Sequence, residues 1–577
     1  IMNRDNLRPN RRDFLRAAGS VAVAGFLSSR RIASAAPSPP DFKSLSLEQQ
    51  VGQLVIARQQ DWPLMERYAK RGIISGMTPS LTKLSPAEVA EFTNRFQELS
   101  PIPLLLGWGG VSYSGGSDVR LGQAMRLAAT RSGELCREAA RIEAVEARAL
   151  GIHIAATPNL DVNTNPDNPI INLRSLGDDV DLVIELGAEL ARGTLDGGAA
   201  SIFMHFPGHG DSRGDSHIQM PEVDRSLAQL EAVELKPFAE LIRRGLGRIV
   251  CTYHCHYPAL EPDRPIPATL SRKIVTGLLR EKLGYNGIIM SDSLTMRPIK
   301  DHYGIEEAAI ETVAAGHDMI LQDYNSDPGI TIDALARGVR QGRIPLAQVE
   351  QSVARVWRLK QGLGLFDNRL VDVTKIPERF ATPAGAEVAR RIARESVTML
   401  ENQGALHPQT KEVLVVSNGS AATIEQDMAV KHSPTTHRLN EQICRRLPNA
   451  RNVVLSTQMK PEEISRALET AQAAEMVVFG VFTRVRSYVE DAIKVPPPYS
   501  ELIRRVAAMG RRVALLNFGN PYVLGNLPKP AISLCTFSDA ADSIDAAVQV
   551  LFGEMKARGK LPVHISEAYP FGYGLTD

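Results

Sequence analysis

Eight short apolar runs recur between residues 51 and 322, each separated from the next by a longer segment. They read "VGQLVIA" (51–57), "GIISGM" (72–77), "PIPLLLGW" (101–108), "GIHIAATP" (151–158), "SIFMHF" (201–206), "RIVCTYH" (248–254), "NGIIMSDS" (286–293) and "DMILQ" (318–322). The runs are apolar throughout instead of alternating, the pattern of parallel strands covered on both faces. Intervening segments such as 121–149 and 226–245 carry apolar residues at helical spacing. Eight strand–helix units in this order predict an α/β fold of the (β/α)8, TIM-like barrel type. An open doubly wound sheet is the competing arrangement.

A chain of 577 residues exceeds what one core sustains, so a second domain is expected. The stretch "FDNRLVDVTKIPERFATPAG" (366–385) breaks the alternation with prolines and polar residues. A helix from 386 then leads into "VLVVSN" (413–418), "NVVLST" (452–457), "MVVFGVF" (476–482), "RVALLNFG" (512–519) and "AISLCTF" (531–537). Five strands with helices between them predict a three-layer α/β sandwich domain. The expected boundaries are 37–370 for the barrel, 371–385 for a linker and 386–577 for the second domain.

Residues 1–36 read differently. Arg11-Arg12, Phe14-Leu15, a short apolar stretch and Ala33-Ser34-Ala35 follow the basic, apolar, small-residue order of an export signal. The "RRDFLR" string resembles a twin-arginine signal, which implies export of a folded protein to the periplasm or beyond. The five cysteines are odd in number and scattered, so no disulfide framework is expected. A net charge of +1 predicts no nucleic-acid partner, and no apolar run after the N-terminus is long enough for a membrane span. No oligomeric state follows from the sequence.

In a barrel, reactive groups come from strand C-terminal ends and the loops after them. There lie "NLDVNTNPDNPIINLRS" (159–175), "HFPGHGDSRGDSH" (205–217), "YHCHYP" (253–258) and "SDSLTM" (291–296). Asp292 ends the seventh run; such a carboxylate is either a reactive anion or the N-cap of the next helix. Asp215 precedes His217 by two residues, close enough to fix its tautomer and leave the other ring nitrogen to exchange a proton. The bland alternative is a solvated polar loop. The His and Cys residues here form no H-x-x-x-H on a helix and no paired C-x-x-C, so no metal and no cofactor is expected.

"HFPGHGDSRGDSH", the segment "IPATLSRKIVTGLLREKLGYNGIIMSDSLTM" (266–296) and the ending "GKLPVHISEAYPFGYGL" (559–575) together resemble glycoside hydrolase family 3, in its β-N-acetylhexosaminidase branch. The resemblance runs from about residue 45 onward. It implies that Asp292 is the nucleophile and that Asp215–His217 is an acid/base dyad. It implies sugar contacts for Arg174 and His205, and leaves His254 either a contact or a structural residue. His209 is expected to brace the Pro-Gly turn, and the second domain to be structural or to shape outer subsites.

Two positions depart from the family pattern. The family has Lys before His-Phe-Pro-Gly-His where this chain has Met204, which carries no charge and donates no hydrogen bond. The family's third strand ends in an Asp-x-Glu-Gly-Gly-like motif, whereas no acidic residue occurs here between Glu98 and Asp118. Trp108 in that region either stacks on a sugar face or belongs to the core. The resemblance therefore implies a retaining exo-β-N-acetylglucosaminidase acting on cell-wall fragments or chitooligosaccharides. The departures keep open a β-glycosidase or phosphorylase of changed specificity, and a carbohydrate-binding protein that has lost turnover.

Overall fold

The computed structural model describes residues 41–58, 60–81, 84–107, 123–155, 157–323, 325–418 and 434–576. The expected signal at 1–36 and Trp108 lie outside these residues. β1 (Val55–Ala57), β2 (Gly76–Met77), β3 (Leu105–Leu106), β4 (Ile154–Ala155), β5 (Ala200–Phe206), β6 (Ile249–Thr252), β7 (Ile288–Ser293) and β8 (Met319–Leu321) form one parallel sheet. Its order is β3-β2-β1-β8-β7-β6-β5-β4. A parallel bridge between Gly107 and Ile154 joins the two edges, so the sheet is a TIM-like barrel and not an open one.

Every residue of β5 is buried, which is why its sequence is apolar on both faces. Ala200, Ile202 and Met204 face the barrel interior with Ile56, Leu105, Cys251 and Met290. Phe203 and Phe206 face the surrounding helices with Phe238 and Leu241. The first apolar run is shorter as a strand than as a sequence pattern. Ser46 and Gln49 form a capping box that nucleates a helix over Leu47–Gly52, leaving only Val55–Ala57 to pair.

The second domain holds β9 (Thr398–Asn402), β10 (Val413–Asn418), β11 (Arg451–Leu455), β12 (Met476–Val481), β13 (Arg512–Asn517) and β14 (Ile532–Cys535) in the order β11-β10-β12-β13-β14-β9. Alternate residues serve two cores. Leu414, Val416, Val477 and Phe479 pack with the helices Pro461–Gln472 and Pro497–Ala508. Val413, Val415, Met476 and Val478 pack with Pro434–Arg446 and Ala541–Leu551. This is the expected three-layer sandwich, with one strand more than the five expected. β9 pairs antiparallel at the edge, and its last two residues, Glu401 and Asn402, leave the core, so it carries little apolar signal.

The first of these two cores is continuous with the barrel. Met125, Ala129 and Leu173 pack with Leu561, Val563 and Tyr522. Arg131 Nη2 donates to the Leu561 carbonyl at 2.6 Å, and Asn163 Nδ2 to Tyr522 Oη at 3.0 Å.

Candidate active site

The segment after β5 is pinned rather than loose. Gly208 adopts φ +130°, open to glycine, and its carbonyl accepts from Tyr257 Oη at 2.6 Å. The amide-rich loop after β4 satisfies the next carbonyls: Asn168 Nδ2 donates to His209 O at 2.8 Å and Asn165 Nδ2 to Ser212 O at 2.9 Å. His209 is fully buried, with Ser212 Oγ at its Nδ1 and Ser216 Oγ at 3.1 Å from Nε2. Burial pushes its pKa down to about 3, so it stays neutral and braces the turn.

The same fold brings Asp215 and His217 together. Asp215 Oδ1 accepts from the His217 amide at 2.9 Å and from Nδ1 at 2.7 Å, which assigns the ring proton to Nδ1 and leaves Nε2 for exchange. Asp215 is 1% exposed, and the His217 side chain 21%. Burial alone would raise the Asp215 carboxyl. The His217 side chain, amide and charge, with the Tyr488 amide, hold it below the ordinary carboxylate range instead.

Asp292 lies at the end of β7 and accepts from the Ser293 amide. It does not cap the following helix, which starts at Arg297 with Met296 in the cap position and no side-chain cap bond. The bland reading of Asp292 is thereby removed. His254 is fully buried next to it: Nε2 donates to the Ser293 carbonyl at 3.0 Å, and Nδ1 lies 3.0 Å from Thr269 Oγ1. Burial lowers the His254 pKa, against the pull of the Asp292 charge and the Ser293 carbonyl. Asp292 and His217 both act electrostatically on His254, and Asp292 and Arg174 both act on Tyr253. The sequence-predicted groups after β4, β5, β6 and β7 thus lie within electrostatic reach of His254 and Tyr253.

His205, which meets Arg174, is held by a residue that sequence reasoning did not single out. Asp161, with no exposed surface, follows β4. Its Oδ1 accepts from the amides of His205 (3.2 Å) and His209 (2.7 Å), and its Oδ2 lies 2.6 Å from His205 Nδ1. Arg174 Nη2 donates to His205 Nε2 at 3.3 Å, which makes Nδ1 the protonated nitrogen. Burial would raise Asp161, but the charge and hydrogen bond of His205, with His209, bring it below the usual range. An acid in an otherwise apolar and amide stretch was the only local signal.

Met204 is 6% exposed and belongs to the apolar layer that closes the barrel interior. A cation does approach this end of the barrel from another strand. Arg58, just after β1, donates from Nη1 to Ser293 Oγ at 2.6 Å, next to Asp292. Sequence reasoning missed it, as it missed Tyr488 and Glu490 of the second domain, both of which hydrogen-bond Asp215. Among the described residues, no three His, Cys, Asp or Glu side chains stand as a metal site requires, and no helix is long and apolar enough to cross a membrane.

Residues 46–359 match the model described as glycosyl hydrolase family 3 N terminal domain, and residues 397–575 match the glycosyl hydrolase family 3 C-terminal domain. Beta-hexosaminidase A of Pseudoalteromonas piscicida is 26% identical over 465 residues, 73% of this chain and 75% of that protein. The beta-N-acetylglucosaminidase/beta-glucosidase of Cellulomonas fimi is 31% identical over 356 residues, 60% of this chain and 62% of that protein. The solved structure of a glycoside hydrolase family 3 beta-N-acetylglucosaminidase from Paenibacillus sp. superposes with a TM-score of 0.78 at 31% identity, covering 91% of this chain and 99% of that one.

Proposed function

The chain belongs to glycosyl hydrolase family 3, and on that premise we propose that it is a retaining β-N-acetylglucosaminidase, exported and acting on chitooligosaccharides or cell-wall fragments. The observation that carries this reading is the Asp215–His217 pair, bonded at 2.7 Å and converging with Asp292 around His254. The hexosaminidase names of its relatives support the choice of sugar.

In the first step an Asp292 oxygen attacks the anomeric carbon while the glycosidic bond breaks. The His217 imidazolium gives its Nε2 proton to the departing oxygen and becomes neutral. Asp215 stays ionised throughout, holding Nδ1–H and so keeping Nε2 as the proton-exchanging nitrogen. In the second step water attacks the glycosyl–Asp292 ester, and His217 Nε2 takes the water proton. Two inversions give net retention, and the cycle restores the imidazolium. His205, held by Asp161, and Arg174, bonded to His205, supply donors for sugar oxygens.

Met204 in place of a lysine supports a second reading, with the same chemistry on another sugar or with phosphate as acceptor. An imidazole relay repels an anionic acceptor less than a carboxylate would. The test is turnover of aryl β-N-acetylglucosaminide beside the glucoside, xyloside and galactoside, with and without phosphate, for the wild type, Asp292→Ala and His217→Ala. N-acetylglucosaminide hydrolysis lost in both variants supports the first reading, and another sugar or a sugar phosphate product supports the second. Silence of the folded protein on every sugar overturns both.

A further inference from the structure

The acid/base dyad is held from outside the barrel. Tyr488 N–H donates to Asp215 Oδ2 at 2.6 Å, and the Asp215 amide donates to Glu490 Oε1 at 3.0 Å. Asp215 is therefore gripped at both its carboxylate and its backbone by one short segment of the second domain. That segment is built to be stiff. Arg484 at its start pairs with the buried Asp539, and the Arg484 amide donates to Ala492 O at 3.0 Å. Asn520 fixes both ends, its amide donating to Thr483 Oγ1 at 2.8 Å and its Nδ2 to Ile493 O at 2.9 Å. Tyr488 itself adopts φ +68°, a conformation that costs a non-glycine residue about 1 kcal/mol or more and is kept only where the surroundings enforce it.

Tyr488 is 50% exposed, and its ring centroid lies 5.1 Å from that of His217. A leaving-group oxygen must come within hydrogen-bond distance of His217 Nε2 to be protonated. The group attached to that oxygen then passes beside the Tyr488 face, and aromatic faces suit the apolar faces of sugar rings.

The geometry points to a working role for this segment: Glu490 and the Tyr488 amide latch the dyad in its proton-transferring position, and the Tyr488 ring is a wall of the leaving-group subsite. Both are positioning residues, one for the acid and one for the leaving sugar. The inference rests on the glycosidase reading above.

Two substrates with the same glycosyl group separate the latch from a general structural role. N,N′-diacetylchitobiose needs its leaving oxygen protonated and fills the subsite, whereas the β-N-acetylglucosaminyl fluoride needs little acid and leaves the subsite empty. If the wild type prefers another sugar, the pair is built on that sugar. In Glu490→Ala, kcat/KM on the disaccharide should fall about tenfold, the scale of one hydrogen bond to a charged group, with the fluoride within about twofold. Glu490→Gln, which keeps an acceptor, should recover most of the loss. Tyr488→Gly keeps the amide and relieves the backbone while removing the ring. It should raise the disaccharide KM about fivefold, equivalent to a modest stacking contact, and leave the fluoride unchanged.

Equal losses on both substrates, or none, would overturn the proposal. Hydrogen exchange of the 211–219 amides needs no turnover and is measured in parallel. If the wild type cleaves no glycoside, the glycosidase reading fails, and exchange decides the latch. Faster exchange in Glu490→Ala supports it, and unchanged exchange refutes it.

Discussion

Asp161→Asn tests how the His205–Arg174 pair is oriented. The side chain it replaces is fully buried and accepts two amides on one oxygen, His205 N at 3.2 Å and His209 N at 2.7 Å. An asparagine must keep its own oxygen there, since its NH2 would otherwise oppose two N–H groups. Its nitrogen then faces His205 Nδ1, 2.6 Å from the present Oδ2. Two donors now meet, so His205 must move its proton to Nε2, which places it against the Arg174 Nη2 donor at 3.3 Å. One charge-assisted bond is lost and a second is inverted, each worth about 1.5–3 kcal/mol. Breaking a buried pair from one side costs about 3–5 kcal/mol, and that is the expected loss in urea unfolding. Displacing both Arg174 and His205 should lower kcat/KM on an aryl β-N-acetylglucosaminide about a hundredfold, or about 2.7 kcal/mol. Nitrogen-15 spectra should report the His205 proton on Nδ1 in the wild type and on Nε2 in the variant. Stability and kcat/KM within about threefold of wild type, with the tautomer unchanged, would refute this account.

Other outcomes follow from the same structure. Asp292→Ala should remain folded and lose at least about a thousandfold in kcat; azide should restore turnover as the α-glycosyl azide, whereas a β-azide would contradict direct attack by Asp292. Gly210→Ala should cost about 1–3 kcal/mol of stability and lower activity together, because its Cβ would meet the Val162 carbonyl oxygen at 1.8 Å and push out the segment leading to the dyad; an unaltered melting curve would count against that contact. His317 is buried and held neutral by burial, its pKa pushed down to about 3, with Nδ1 donating to Thr312 O and Thr252 Oγ1 at Nε2. The unfolded chain binds this proton below about pH 6.5 while the folded chain does not, so stability falls as pH drops through the window from 6.5 toward 3. By pH 5 the loss is about 2 kcal/mol, so the stability gap between wild type and His317→Gln should narrow by that amount from pH 7 to pH 5 in urea titrations. A constant gap would show that the imidazole takes up its proton over the same pH range in the folded as in the unfolded chain.

Some of this was legible one segment at a time. The barrel strands announce themselves because both of their faces are buried, as the fully buried β5 shows. β9 did not, since an edge strand ending in a half-buried Glu401 and an exposed Asn402 has no such pattern. The dyad was legible because its members are two positions apart and the turn between them is local. Asp161 was not, since it meets His205 across 44 residues of chain. Met204 could be read as a lost charge, but only the barrel shows it completing an apolar layer.

The sequence by itself therefore determined the barrel strands, all of the second sheet but β9, their order and the chemical groups at the strand ends, because these depend on burial period and on neighbours within a few residues. What depends on distance in the chain was decided by the tertiary structure. Asp292 ceased to be a possible helix cap only once the helix was seen to start at Arg297. Tyr488 and Glu490 reach Asp215 across 273 and 275 residues, through a stiff segment anchored on another sheet. No local pattern encodes such a contact, because the free energy that holds it comes from two packed domains and not from the residues that touch.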